Sequence, residues 1–172
     1  MSYNYNAIKL TWNKVSNAER YYIYRYDAKS KNYKLIKTVS SKYNYYINSS
    51  LTCNSYYYYR VVAYNNTNGL VKSKYNTVKV KPVLKSTNIK VSAGKKKAYI
   101  KWNKVSGASG YQIYTKNSKG KYVLTKTTKS TSYTKTKLTS KKTYYYKVRA
   151  YKVVGGKKVY SSFSSVKKVK VK

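Results

Sequence analysis

Leu51-Thr52-Cys53-Asn54-Ser55-Tyr56-Tyr57-Tyr58-Tyr59-Arg60-Val61-Val62-Ala63-Tyr64 returns 87 positions later as Leu138-Thr139-Ser140-Lys141-Lys142-Thr143-Tyr144-Tyr145-Tyr146-Lys147-Val148-Arg149-Ala150-Tyr151. In the later copy Tyr144, Tyr146, Val148 and Ala150 alternate with Tyr145, Lys147, Arg149 and Tyr151. A period of two with one apolar face predicts a half-buried antiparallel strand. Upstream, Trp12-Asn13-Lys14-Val15-Ser16 returns as Trp102-Asn103-Lys104-Val105-Ser106, and Ile8-Leu10-Trp12 and Ala98-Ile100-Trp102 alternate in the same way. No stretch sustains a helical period. Turn signals stand at Asn68-Gly69, Ser118-Lys119-Gly120 and Gly155-Gly156. A repeat of roughly 85 residues exceeds that of helical solenoids and is long enough to close its own small core. The chain therefore reads as two copies of one all-β domain, 1–82 and 83–172.

Charge is the second large fact. The 172 residues hold 39 Lys plus Arg against two acids, a formal net charge of +37. AT-rich codon usage accounts for the preference for Lys over Arg. It does not account for the missing acids, because Asp and Glu codons are equally available. Such a surface repels itself, stays soluble and attracts polyanions.

Cys53 is the single cysteine, so no internal disulfide can form and redox compartment is not indicated. In the alignment it falls on Ser140, which predicts an incidental semi-exposed thiol in a loop, the alternative being an intermolecular cross-link. No apolar run is long enough to span a bilayer. The opening Met1-Ser2-Tyr3-Asn4-Tyr5-Asn6 lacks the apolar stretch of a signal peptide. That is expected of a cytosolic chain or of a piece of a longer secreted protein.

Residues 84–172 contain no Asp, Glu, His or Cys, the side chains that acid–base and metal chemistry normally require. Glu19 and Asp27 bracket a predicted strand, and eight extended residues separate them by roughly 25 Å. They are expected to form weak surface ion pairs with surrounding lysines, not a catalytic dyad. No catalytic residue, metal site or cofactor is expected.

The spacing Leu51, Tyr57, Tyr59, Val61, Ala63, repeated as Leu138, Tyr144, Tyr146, Val148, Ala150, resembles strands E to F of a fibronectin type III domain. Trp12 and Trp102 fit its strand B, and Tyr21-x-Ile23 and Tyr111-x-Ile113 its strand C. The resemblance covers residues 7–81 and 87–172. In wording it is most similar to modules of Gram-positive bacterial cell-surface and secreted proteins. It implies two tandem immunoglobulin-like, seven-stranded β-sandwiches joined by a short linker, Lys81-Pro82-Val83-Leu84-Lys85. It also implies that Tyr57 and Tyr144 are corner tyrosines tying the E–F connection to backbone. In the second copy Ile89 to Val91 supply strand A and Ala93 to Lys96 the A–B turn. In the first, strand A is missing or truncated. Neither F–G loop carries the Arg-Gly-Asp of some animal type III domains.

Type III topology gathers the A–B, C–C′ and E–F loops beside the end of strand G. The resemblance thus implies a basic pole in the second domain made of Lys95, Lys96, Lys97, Lys119, Lys121, Lys141, Lys142, Lys170 and Lys172. Such a pole would bind phosphate or carboxylate polymers by charge and counter-ion release. The competing reading is that these lysines only keep the sandwich soluble. Tyr21, Tyr57, Tyr59, Tyr111, Tyr144 and Tyr146 are read as core. Tyr22, Tyr24, Tyr58, Tyr114, Tyr145 and Tyr151 are read as outward, with Tyr114, Tyr145 and Tyr151 as candidates for aromatic stacking on sugars or bases. The alternative is that they stabilise the sheet as cross-strand pairs.

Three functions follow as expectations. The first is a non-catalytic adhesion or spacer module at the cell surface or in the wall, part of a longer secreted protein, holding anionic wall polymers. The second is an accessory pair beside the catalytic domain of a secreted polysaccharide- or wall-degrading enzyme. The third is a charge-driven nucleic-acid binder, non-specific and confined to low salt.

Overall fold

A computed structural model describes residues 1–66, 71–72 and 75–172, the side chains of 71 and 72 excepted. The Asn68-Gly69 turn signal lies outside the described residues. The chain divides into two compact units, Met1–Pro82 and Val83–Lys172. No helix occurs among the described residues, and so none long and apolar enough to cross a membrane.

The first unit runs β1 (Ser2–Asn4), β2 (Ala7–Thr11), β3 (Arg20–Asp27), β4 (Asn32–Ser40), β5 (Tyr45–Asn48), β6 (Tyr57–Asn65), β7 (Val71–Lys72) and β8 (Val78–Val80). One antiparallel sheet is ordered β1-β2-β5 and the other β4-β3-β6-β7, with β8 also on β6. The second unit repeats the plan with β9 (Ile89–Gly94), β10 (Lys97–Trp102), β11 (Gly110–Lys116), β12 (Tyr122–Thr128), β13 (Ser132–Lys135), β14 (Thr143–Val154), β15 (Lys157–Tyr160) and β16 (Lys167–Lys170). Its sheets are β13-β10-β9 and β12-β11-β14-β15, with β16 on β14. The first unit does have an opening strand, three residues long against six in β9.

The alternating apolar residues meet between the sheets. Ile8, Leu10, Tyr21, Ile23, Leu51 and Tyr59 are buried in one unit, and Ile100, Trp102, Tyr111, Ile113, Leu138 and Tyr146 in the other. Both units seat a strand-B tryptophan on the strand-C tyrosine, with ring centroids 5.2 Å apart for Trp12–Tyr21 and 5.5 Å for Trp102–Tyr111. The tyrosine hydroxyl then accepts a loop amide, from Val15 at 2.9 Å or Val105 at 2.8 Å. A bulge interrupts the pairing of β3 with β4 and of β11 with β12 at the same place. Bulges on edge strands bend them away from pairing with another chain.

Two expectations need correction. Among the described residues the final strand of each sandwich comes in two segments, giving eight strands per unit instead of seven. In the second unit the cause is visible: Ser161 and Ser164 lie between β15 and β16. Their hydroxyls accept the amides of Ala150 and Val148, each at 3.0 Å, in place of a regular ladder. Cys53 is buried, at 4% exposure, not semi-exposed. Its counterpart Ser140 is exposed on an equivalently bonded connection. A thiol behaves as a small hydrophobe and turns in where a hydroxyl turns out.

Candidate functional site

The basic pole is assembled by backbone hydrogen bonds among three segments of the second unit. The turn between β9 and β10 bonds to the chain end, Lys96 N to Lys172 O at 3.1 Å, and to the connection before β14, Leu138 N to Lys96 O at 3.0 Å. That connection bonds to the chain end in turn, Lys141 N to Val171 O at 2.9 Å and Val171 N to Lys142 O at 3.0 Å. Val171, 2% exposed, plugs the centre. Tyr144 fixes the connection from below by accepting the Thr139 amide at 3.0 Å, and Tyr57 does the same to Thr52 at 2.9 Å. Both are the corner tyrosines that the resemblance implies. Hydrogen bonding from the Thr139 side chain and backbone holds the Tyr144 phenol below its ordinary value.

Around this ring stand Lys95, Lys96, Lys97, Lys141, Lys142, Lys170 and Lys172, all exposed except half-buried Lys97. Lys97 Nζ lies 5.4 Å from the centre of the Tyr99 ring. Lys137 joins them, a residue the loop reading missed. The repeat carries the signal that finds it, because Ser50 aligns with Lys137 across the offset of 87. Lys119 and Lys121 stand on the adjacent β11–β12 hairpin turn, outside this hydrogen-bonded ring. The turn is closed by Asn117, whose side-chain carbonyl accepts Lys121 N at 2.9 Å.

Three of the pole lysines adopt the left-handed backbone region: Lys96 (φ 51°), Lys137 (φ 57°) and Lys141 (φ 63°). That region is disfavoured for long side chains and tolerated best by Gly and Asn. The first unit has the same turns with Ser50 (φ 59°) and Asn54 (φ 66°). Its equivalent bonds are Leu51 N to Asn6 O at 2.9 Å and Asn54 N to Pro82 O at 2.7 Å. One scaffold therefore presents two chemistries, Asn and Ser in the first unit and Lys in the second. The second unit carries +25 (25 cations, no Asp or Glu), the first +12 (14 cations, two acids).

The aromatic candidates fare unevenly. Tyr151 is not outward: it is 8% exposed. Its cross-strand partner is Gly110, and a Cβ there would lie 2.6 Å from the Tyr151 hydroxyl. The ring fills the space that the glycine leaves. In the first unit the equivalent pair is Arg20–Tyr64, where the guanidinium sits over the ring at 5.3 Å and Tyr64 remains half-buried. Tyr114 is half-buried; its hydroxyl accepts Arg149 Nη2 at 2.8 Å and donates to Gln112 at 3.2 Å. Tyr145 is also half-buried, with Lys116 Nζ 5.3 Å from its ring centre.

The outer sheet faces repeat one clamp. Arg60 lies between Tyr33 (3.6 Å) and Tyr75 (4.6 Å), and Lys147, at the matching place, between Tyr122 (4.4 Å) and Phe163 (4.0 Å). These rings are engaged within the sheet.

The acids are held apart as surface partners. Asp27 bonds Lys34 at 2.7 Å and the Ser30 hydroxyl and amide at 2.6 and 3.1 Å, and the lysine bond foremost holds its carboxyl well below the usual range. Glu19 pairs with Arg20 at 3.6 Å and accepts the Asn66 amide at 3.2 Å.

No family model and no curated protein matches this sequence. Solved structures do. A two-domain fibronectin type III segment of chicken tenascin is similar over 97% of this chain and 93% of its own, at 18% identity and a TM-score of 0.55. The FN1–FN3 domains of chicken contactin match 98% of the chain and 61% of their own at 16% identity (TM-score 0.45). A Fn3-like protein from Clostridium thermocellum matches 52% of the chain and 92% of its own at 26% identity (TM-score 0.42). With its sheet orders, corner tyrosines and tenascin-like path, the chain is two consecutive sandwiches of the fibronectin type III fold.

Proposed function

We propose that this protein is a non-catalytic adhesion or spacer module of the cell surface or wall, part of a longer secreted protein, and that the pole of the second unit holds an anionic polymer. The observation that carries the reading is the substitution of Lys for Ser and Asn at matched turn positions. At these two turns the left-handed lysines carry backbone strain that Asn54 eases in the first unit, which keeps one left-handed lysine of its own at Lys31 (φ 50°), and strain of this kind clusters at functional sites. With no Asp or Glu in the unit, the cluster has no internal side-chain counter-charge. Lysine is a point charge, suited to flexible phosphate or carboxylate chains and poorly suited to bidentate base reading. The unit's single arginine, Arg149, is spent on Gln112, Tyr114 and Tyr160. Teichoic acid of Gram-positive walls is a polymer of the required chemistry.

The test is retention on purified Gram-positive walls as salt is raised. Replacing Lys95, Lys96, Lys97, Lys141 and Lys142 by Gln lowers the slope of log affinity against log salt by about 3.5, since each released counter-ion contributes roughly 0.7 on a flexible chain. Replacing the exposed strand lysines Lys90, Lys101, Lys126, Lys157 and Lys158 changes it less. Equal losses from the two sets refute a pole site, and unchanged retention on walls stripped of teichoic acid refutes that polymer as the ligand.

A further inference from the structure

The first unit holds a groove beside the strand pair that closes its smaller sheet. It has a volume of about 430 Å³, within the range of ligand sites, and is lined by Lys37, Ser40, Tyr43, Tyr45 and Tyr46 among others. It opens along the seam between the sheets, where β4 has only β3 as a neighbour and β5 only β2. Two exposed edge strands thus leave backbone donors and acceptors along its walls. Tyr43 is 55% exposed and Tyr45 43%. Their centroids are 6.3 Å apart with planes at 85°, so one ring can form a floor and the other a side wall.

The fold does not demand these rings. Tyr46 and Tyr133 occupy the same register place, opposite Leu10 and Ile100. One step along, Tyr45 opposite Thr11 corresponds to Ser132 opposite Lys101. The Trp12 amide bonds Asn44 O as the Trp102 amide bonds Thr131 O, which puts Tyr43 at the place of Ser130. The second unit closes the same sheet with serine at both positions.

Charge at the groove is of one sign. Lys37 lines it, exposed Lys42 precedes Tyr43, Lys9 Nζ lies 4.6 Å from the Tyr45 ring centre, and no lining residue is acidic. We infer that this groove binds an acidic polysaccharide, a chain of pyranose rings carrying carboxylates. The apolar C–H faces of the sugar rings lie against Tyr43 and Tyr45, the hydroxyls meet the strand edges, and the carboxylates meet Lys37 and Lys42. The inference goes beyond the pole reading: it concerns the other unit and survives if the pole proves inert.

Hexagalacturonate and linear polyphosphate, one with rings and one without, separate the two sites. In an amide NMR titration of the full chain in about 0.5 M NaCl, which screens the pole, hexagalacturonate shifts amides of residues 37–47 and polyphosphate does not. The pair Tyr43→Ser/Tyr45→Ser weakens that binding by about tenfold, the scale of a lost stacking ring. Unchanged signals elsewhere confirm that the variant folds, as the serines of the second unit lead one to expect. The inference is overturned if hexagalacturonate leaves residues 37–47 unshifted, or if the double variant binds as well as the parent. Failure of the pole reading shows separately, as polyphosphate failing to shift residues 94–97 and 137–142 in low salt.

Discussion

The two sandwiches differ least where they are driest and most where they meet water. Tyr21 and Tyr111, Ile23 and Ile113, and Tyr59 and Tyr146 occupy matched strand positions and are all at most 3% exposed. Two turns at the pole keep one backbone hydrogen bond each and a left-handed residue, yet exchange Ser50 for Lys137 and Asn54 for Lys141. Core positions are held by packing, which punishes a change of even one methylene. Pole positions are held only by backbone geometry, which leaves the side chain to other demands. A duplicated chain thus carries its own control: whatever one copy does without is not required for folding.

The sharpest break in the comparison lies inside the core. Tyr59 accepts a hydrogen bond from Asn48 Nδ2 at 2.8 Å, and both residues are buried. The Tyr146 hydroxyl has no partner among the described residues, and burial pushes its phenol up to about 12. Lys135 stands where Asn48 would be. Removing one member of a buried pair costs about 1–3 kcal/mol, because the other is left unsatisfied. Removing a hydroxyl that already lacks a partner relieves a desolvation cost. Tyr59→Phe therefore destabilises the first unit by about 1–2 kcal/mol in denaturant unfolding. Tyr146→Phe leaves the second unit unchanged or more stable. Equal losses would mean that Tyr146 has a partner after all.

The contrast between pole and core also explains what could be read from the chain alone. The strands were legible from their period of two, and the strand order and corner tyrosines Tyr57 and Tyr144 followed from the resemblance to fibronectin type III domains. Seven of the nine pole lysines came together because loops of known connectivity brought them. Tyr151 was misread because its burial depends on Gly110, a residue 41 positions away that leaves a hole opposite it. The phase of a strand says which way a side chain starts, and a missing neighbour decides where it ends. The groove at Tyr43 was invisible for a related reason: a cleft between two sheet edges belongs to neither strand's pattern.

A smaller effect sharpens the difference at the turns. Asn tolerates the left-handed region better than Lys, so Lys141→Asn gains about 0.5 kcal/mol in the second unit. On the proposed function it also lowers wall retention, the trade of stability against activity expected at a strained site. The reverse change, Asn54→Lys, destabilises the first unit and also breaks the bond from Lys81 Nζ to Asn54 Oδ1, 2.7 Å long. Were Lys141→Asn to lose stability, left-handed strain would not be the cost that the pole carries.

The smallest expected effect separates the units by pH. Asp27 and Glu19 are the only side-chain carboxylates, and both lie in the first unit. The carboxyl of Asp27 is held down foremost by its bond to Lys34, with Ser30 assisting. A folded value below the unfolded one means that the unfolded chain takes up the proton first as pH falls. The stabilisation from this cluster is therefore complete above about pH 4, the ordinary carboxylate value, and is lost progressively below it. Asp27 is solvent-screened, so the loss is slight. Following each unit's tyrosine NMR signals through thermal unfolding at pH 7 and pH 3 resolves the two. The first unit melts at a slightly lower temperature in acid, and Asp27→Asn removes most of that shift. The second unit, without a titrating carboxylate side chain, holds its melting temperature over the same range. A second unit that fell as far as the first would show that acid acts through general charge repulsion, not through the Asp27–Lys34 contact.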